Sequence, residues 1–327
     1  MGTSFDFQIR GQVDNLETLA LTTSKALVEM ESSWTRFCDT SELMLLNKNS
    51  RISSPSFNIL SAVSLAFAAR RATQGVFDPK VHDTLVAIGY DRSFKEINID
   101  QHTSQYHRSQ ESPTPFKDDT AIFDIDENEL IYQGDALDLG GIGKGLALRN
   151  LSSRLVDLTD LSFLIDAGGD IVTHVASLDN QPWFIDVENP ASNANLPIAI
   201  RSQSNAVVTS SIKVRSWTVN GQGKHHLIDP FTRDSSESDL ASVTVVGKDP
   251  AWAEVYSKAI FLKGSSHGFA YSNERRLAAL LILRSGEFIM SKQFRKYYEA
   301  TGTSITANLI TRHTNVSSQM TNYSIST

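Results

Sequence analysis

The stretch Leu137-Asp138-Leu139-Gly140-Gly141-Ile142-Gly143-Lys144-Gly145 places an acid, a glycine-rich bend and a lysine where a helical pattern begins, and Ala167-Gly168-Gly169-Asp170 adds a second glycine bend with its own acid. Glycine lets the backbone come close to a ligand, and the first N–H groups of a helix have no internal acceptor. The positive end of the helix dipole, with Lys144 beside it, favours an anion, and a diphosphate is a guest that such a bend suits. The alternative is a bend that only packs a helix against a strand, because short glycine patterns carry little information by themselves.

Two commoner glycine motifs fail on spacing. A Walker loop needs a glycine where this chain has Asp138 and a Ser or Thr where it has Gly145. A Rossmann fingerprint opens the first crossover of a nucleotide domain with G-x-G-x-x-G, whereas Gly141, Gly143 and Gly145 recur at every second position in mid-chain.

Outward from the bend, residues 145–155 fit a helix, and Ser162-Phe163-Leu164-Ile165 fits a buried strand that ends at the second bend. Upstream, Phe5, Phe7 and Ile9 alternate with polar residues as in a half-buried strand. Asp14 then reads as the cap of a helix carrying Leu16, Leu19, Thr23, Leu27 and Met30. A second helix is expected from Ser54-Pro55 through Ile59, Leu60, Val63, Phe67 and Ala68 to Gly75, whose stop delivers the turn Gly75-Val76-Phe77-Asp78-Pro79. Residues 101–119 read as a polar surface loop. Strands are expected near 183–187, 206–209, 242–246 and 279–283, with one helix over 250–262 between the last two. Strands in runs between few helices indicate an α+β fold rather than strict βαβ alternation.

Composition excludes several classes. With 327 residues, of which 40% are hydrophobic and 20% charged, the chain can bury a large core. A net charge of -7 argues against a nucleic-acid surface. Cys38 is the single cysteine, so an internal disulfide and a cysteine-rich metal site are both excluded. No apolar run reaches the length of about 18 residues needed to span a bilayer, and no basic-then-apolar start is visible. The chain is therefore expected to have no membrane span and to be cytoplasmic.

Further marks run in a fixed order: Met1-Gly2-Thr3, then Ser41-Glu42-Leu43 with Asn47, then Thr73-x-Gly75-x-Phe77-Asp78-Pro79-x-Val81, the two glycine bends, Val208-Thr209-Ser210, and His225-His226-Leu227-Ile228-Asp229-Pro230. This ordered set resembles the FAD:protein FMN transferases, the ApbE-type flavin transferases. The resemblance implies an α+β fold of mainly antiparallel sheet with packed helices, a single T-fold-related flavin-transferase unit over residues 1–290. A polar tail follows at 291–327, rich in Ser, Thr and Asn and expected to be weakly ordered.

The activity implied is transfer of FMN from FAD to a Ser or Thr hydroxyl of an acceptor flavoprotein bearing a Ser/Thr motif, releasing AMP with Mg²⁺ assistance. A family member that binds FAD without transfer, and a metal-dependent FAD pyrophosphatase, are the alternatives. Under the resemblance Asp138, Gly140, Lys144 and Leu146 stand on the phosphate side, and the Gly143 carbonyl is a metal ligand. Val76, Phe77 and Asp78 contact the nucleotide with Asn47 and Met1, and Ile228 meets the flavin. His226 acts as base on the acceptor hydroxyl, a role that suits a near-neutral imidazole. Phe77 can equally be core, and His225 carries no assignment.

The chain departs from the family pattern in one helix. Where the family writes Ala-Asp-Ala-x-x-Thr-Ala, with Asp and Thr reaching Mg²⁺, this chain has Ala253-Glu254-Val255-Tyr256-Ser257-Lys258-Ala259. Three readings stand. Glu254 and Lys258 form an ordinary i, i+4 helix pair; the Lys258 ammonium takes the place of the metal; or Mg²⁺ is kept through Glu254, Ser257 and the Gly143 carbonyl.

Overall fold

Phe5, Phe7 and Ile9, the alternating residues near the start of the chain, are fully buried along the strand Ser4–Arg10 in the computed structural model. The structure describes residues 2–96, 121–124, 126–191, 194–300 and 320–326. The expected polar loop at 101–119 and Met1 lie outside the described residues. Six helices are present among them: α1 (Leu16–Trp34), α2 (Glu42–Asn49), α3 (Phe57–Ala72), α4 (His82–Ala87), α5 (Gly143–Leu158) and α6 (Pro250–Glu274). The fold is α+β with antiparallel strand pairing throughout its sheets.

Contacts divide the chain into two compact units. One comprises Thr3–Ala26, Lys144–Ser211 and Asp239–Thr327. Its centre is an eight-stranded sheet in the order Phe288–Met290, Ala278–Leu283, Leu240–Gly247, Ala206–Ser211, Ile171–His174, Ser162–Asp166, Ser4–Arg10 and Met320–Ser326. Leu164, Val207, Val246, Leu280 and Ile282 pack against Trp183, Ile185, Ile198 and Ile200 of a three-stranded sheet, Trp183–Asn189, Ala194–Ser202 and Tyr298–Ala300. Helix α6 lies along the strands Leu240–Gly247, Ala206–Ser211 and Ala278–Leu283. Because the central strands are covered on both faces, Ala278–Leu283 reads as a continuous apolar run rather than an alternating one.

Helix α6 extends beyond the expected 250–262. Gly264 interrupts it at φ 73°, a left-handed conformation that favours glycine, and Asp239 restarts the following turns by accepting from the Ser265 N–H at 2.9 Å. The cap of α1 lies one residue after the expected Asp14, since the Asn15 side chain accepts from the Thr18 N–H at 3.2 Å.

The other unit comprises Leu27–Gly143 and Ile212–Ser238, with Met1–Gly2. Ser56, rather than Ser54, caps α3 by accepting from the Ile59 N–H, while Ser54 sits at a positive φ of 54° just before it. Glu42, in the first turn of α2, accepts from the Ser33 hydroxyl at 2.7 Å and the Ser56 N–H at 2.7 Å, so one carboxylate ties α1, α2 and α3 together. Two short hairpins, Ser216–Val219 with Gln222–His225 and Ile228–Asp229 with Asp234–Ser235, pack Trp217, Val219 and Ile228 onto Leu85, Ile88 and Tyr90.

The polar C-terminal segment does more than its composition suggests. Met320–Ser326 forms the edge strand of the large sheet, and Tyr323 stacks on Phe7 with ring centroids 4.3 Å apart and planes within 5°. Half-buried Met320 and the alternating half-buried Thr321, Tyr323 and Ile325 hold a strand whose remaining residues are exposed and polar, which a hydropathy reading misses. Replacing Tyr323 by Ala is expected to lower stability by about 1–3 kcal/mol and to release amide protection at 320–326 ahead of global unfolding, read by hydrogen exchange. Unchanged protection in that strand would contradict this assignment.

Candidate functional site

In the unit containing Leu27–Gly143, the first glycine bend is shaped by an internal acid. The Asp138 carboxylate receives the Gly140 N–H at 2.8 Å on one oxygen and the Arg36 Nε at 2.9 Å on the other, with both side chains more than nine-tenths buried. Its own N–H donates to the Pro79 carbonyl at 2.7 Å, which fastens the bend to the Gly75-Val76-Phe77-Asp78-Pro79 turn. Asn47 donates to the Leu137 carbonyl at 2.9 Å and accepts from the Leu137 N–H at 2.8 Å. Arg36 in turn donates to the Tyr90 carbonyl at 2.6 Å and lies against the rings of Phe37 and Tyr90, 4.4 and 4.3 Å from their centroids. Asp138 and Asn47, both assigned to ligand contact, therefore spend their side chains on holding the bend.

The adjoining turn is organised in the same manner. Gln74 and Gly75 both have positive φ, and Thr73 closes the turn by accepting from the Phe77 N–H at 3.0 Å. Asp78 pairs with Arg70 at 2.9 Å and accepts from the Lys80 N–H at 3.0 Å. Phe77 is buried and Val76 half-buried, so the side chain of Phe77 belongs to the core. Ile228 likewise packs in the cluster around Trp217.

The two neighbouring histidines differ in kind. His225 is buried: its Nε2 meets the Ser236 carbonyl at 2.9 Å while its Nδ1 accepts from the Leu227 N–H at 3.3 Å, which fixes one tautomer in a structural role. His226 is half-buried, and its Nδ1 lies 3.4 Å from the Arg215 carbonyl. A carbonyl only accepts, so as a hydrogen bond that contact places a proton on Nδ1. Sequence alone separates these two residues only through the family pattern.

In the unit containing Lys144–Ser211, the start of α5 meets the start of α6. A Cβ at Gly145 would lie 2.5 Å from the Pro250 carbonyl oxygen, so glycine is required there for close packing. Asp249 caps α6 through the N–H groups of Ala251 and Trp252, and Arg149 of α5 grips the same carboxylate with 2.7 Å contacts to both oxygens. This packing brings Glu254 under α5, where it accepts the Gly145 N–H at 2.7 Å on one oxygen and the Lys258 ammonium at 2.9 Å on the other. Lys144 pairs with Asp170, which also accepts the Thr209 N–H at 2.9 Å. Ser257 donates to the Glu254 carbonyl at 2.9 Å and shares a 2.7 Å hydrogen bond with Ser210. Leu146 is core.

Burial raises the Glu254 carboxyl above its ordinary range, opposed by Lys258 and raised further by Asp170. Asp166, beside the second bend, is raised by burial against the Gly169 N–H that its carboxylate accepts at 2.6 Å. Asp170 and Arg36 are the organising residues that sequence reading left without a role. The acid after Gly168-Gly169 was a visible signal for Asp170, whereas a lone arginine in an irregular stretch gives none.

The expected metal ligands Gly143, Glu254 and Ser257 do not make a ready cation site. Both Glu254 oxygens and the Ser257 hydroxyl are committed to protein partners, and no group of three His, Cys, Asp or Glu able to hold a metal occurs among the described residues. Gly143 opens α5, and a side chain there would meet nothing within 4 Å.

Comparison with known proteins gives a consistent result. The model of the ApbE family matches residues 1–281. A Haemophilus influenzae protein named FAD:protein FMN transferase is 22% identical over 295 residues, covering 85% of this chain and 82% of its own length. Among solved structures, the ApbE protein of Thermotoga maritima superposes with a TM-score of 0.76 at 23% identity, covering 90% of this chain and 96% of that one. The flavin transferase ApbE of Vibrio cholerae gives a TM-score of 0.70 at 19% identity, with coverage of 91% and 96%.

Removing Arg36 leaves the Asp138 charge buried and unmatched. Arg36→Met is expected to cost about 3–5 kcal/mol in denaturant unfolding, and adding Asp138→Asn is expected to recover part of that loss. Additive losses in the double variant would show that the pair is not coupled.

Proposed function

Since the chain belongs to the ApbE family, we propose that it transfers the FMN part of FAD to a Ser or Thr hydroxyl of an acceptor flavoprotein. The observation that carries this reading is the family match over residues 1–281, which takes in every motif from the start of the chain to Pro230. FAD is the flavin substrate, consistent with the names of the relatives. Among the described residues no helix is long and apolar enough to cross a membrane.

In the proposed reaction the acceptor oxygen attacks the phosphorus that bears the riboflavin side. A phosphoester forms, the bond to the bridging oxygen breaks, and AMP leaves with the electron pair. Such a transfer asks the protein mainly for positioning and for neutralising charge on the phosphoryl oxygens. The imidazole of His226 takes the hydroxyl proton. The ammonium of Lys144, at the start of α5, faces developing negative charge together with the helix dipole.

Asn47, Asp78 and Asp138 act by holding the two turns rather than by side-chain contact with the nucleotide, which leaves backbone groups of Val76, Phe77 and Gly140 as the contacting atoms. The Mg²⁺ that the resemblance implies would supply Lewis-acid charge to the diphosphate when bound. The committed state of Glu254 and Ser257 does not favour it here, and no step requires it.

His226→Ala is expected to lower FMN transfer by about 10²- to 10⁴-fold while FAD affinity stays within a few-fold. Transfer is read as the mass gained by an acceptor peptide incubated with FAD. Wild-type rates in this variant would remove His226 from the mechanism.

A further inference from the structure

Two ion pairs meet at the start of α5 and α6, with the Asp166 carboxyl near enough to act on Lys144 and Asp170. Two carboxylates, Glu254 and Asp170, are buried to 1% and 2% exposure, and two ammonium groups, Lys258 and Lys144, pair with them at 15% and 19% exposure. The acids lie inside and the cations reach outward. Each carboxylate also accepts a backbone N–H, from Gly145 and Thr209, so no oxygen lacks a donor.

A magnesium ion demands oxygen ligands at about 2.0–2.1 Å in near-octahedral order and keeps its waters reluctantly shed. To reach Glu254 it would have to expel the Lys258 ammonium from an oxygen 2.9 Å away and break the Gly145 bond or share its oxygen. Every oxygen of Glu254 and Asp170 already holds a protein donor, so a dication would have to displace a donor as well as shed water. An anion, by contrast, meets two partly exposed ammonium groups held in place from beneath.

We propose that Lys258, with Lys144, is the resident cation of this site: the two ammonium groups bind the diphosphate of FAD, so that FAD binding and FMN transfer do not require a divalent metal. This rests on the flavin-transfer reading above. Lys258 replaces the metal by being covalently part of α6, and Glu254 is retained as its holder rather than as a metal ligand. The hydroxyl that would complete a metal site, Ser257, is turned to the Glu254 carbonyl and Ser210.

The test uses the full chain. Manganese titrated into wild-type protein and followed by electron paramagnetic resonance should reveal no stoichiometric site, and FAD affinity by calorimetry should agree within about twofold in EDTA and in Mg²⁺. Lys258→Met should weaken FAD by about tenfold or more under both conditions, and Lys258→Thr should make FAD binding respond to Mg²⁺. Stoichiometric Mn²⁺ binding by wild type, with FAD affinity lost in EDTA, would overturn the proposal and leave flavin transfer standing. Absence of FAD binding under every condition would overturn both. The wild-type titrations decide the matter even if a variant fails to fold, which far-UV circular dichroism reports.

Discussion

A buried carboxylate at each end of the glycine-rich stretch 140–145 is the constraint on which its shape depends. Asp138 draws the Gly140 N–H inward and is balanced by Arg36, while Glu254 draws in the Gly145 N–H and is balanced by Lys258. A glycine bend left to itself samples many conformations, since glycine has the greatest backbone freedom to lose. Here the stretch has an internal acceptor at each end, so its shape is set within the protein itself. Preorganisation of this type removes an ordering cost from binding and from the chemical step.

The same acids explain why the positive groups are where they are. A buried carboxylate without a partner is costly, and each one retains a basic side chain beside it. In one unit that partner is Arg36, packed against two aromatic rings and serving architecture. In the other the partners are Lys144 and Lys258, which keep partial exposure and so can meet an anion. The same electrostatic logic thus yields a pair closed from solvent in one place and two pairs open to it in the other.

The α+β class, the strand Ser4–Arg10, the helix that follows the glycine bend and the strand run near 240–283 were legible because their apolar spacing matches their burial. The caps at Asn15 and Ser56 were not, because several Ser, Asp and Asn residues crowd each helix start and only geometry selects among them. The terminal strand Met320–Ser326 escaped because its stability comes from pairing with Ser4–Arg10 and one aromatic stack. Around the site, the motifs named residues that matter but blurred their roles. Asn47, Asp78 and Asp138, expected at the ligand, use their side chains to hold the turns, a second purpose that a polar side chain near a bend can serve.

The central claim is that this protein recognises the phosphate bridge of a flavin dinucleotide on prearranged cationic groups. Calorimetric titration of the full chain with FAD, set against riboflavin, tests it most directly. FAD should bind at least about a hundredfold more tightly, a difference of roughly 2.7 kcal/mol carried by the phosphates, and that margin should shrink as salt is raised. Equal affinity for the two flavins at low salt would contradict the account.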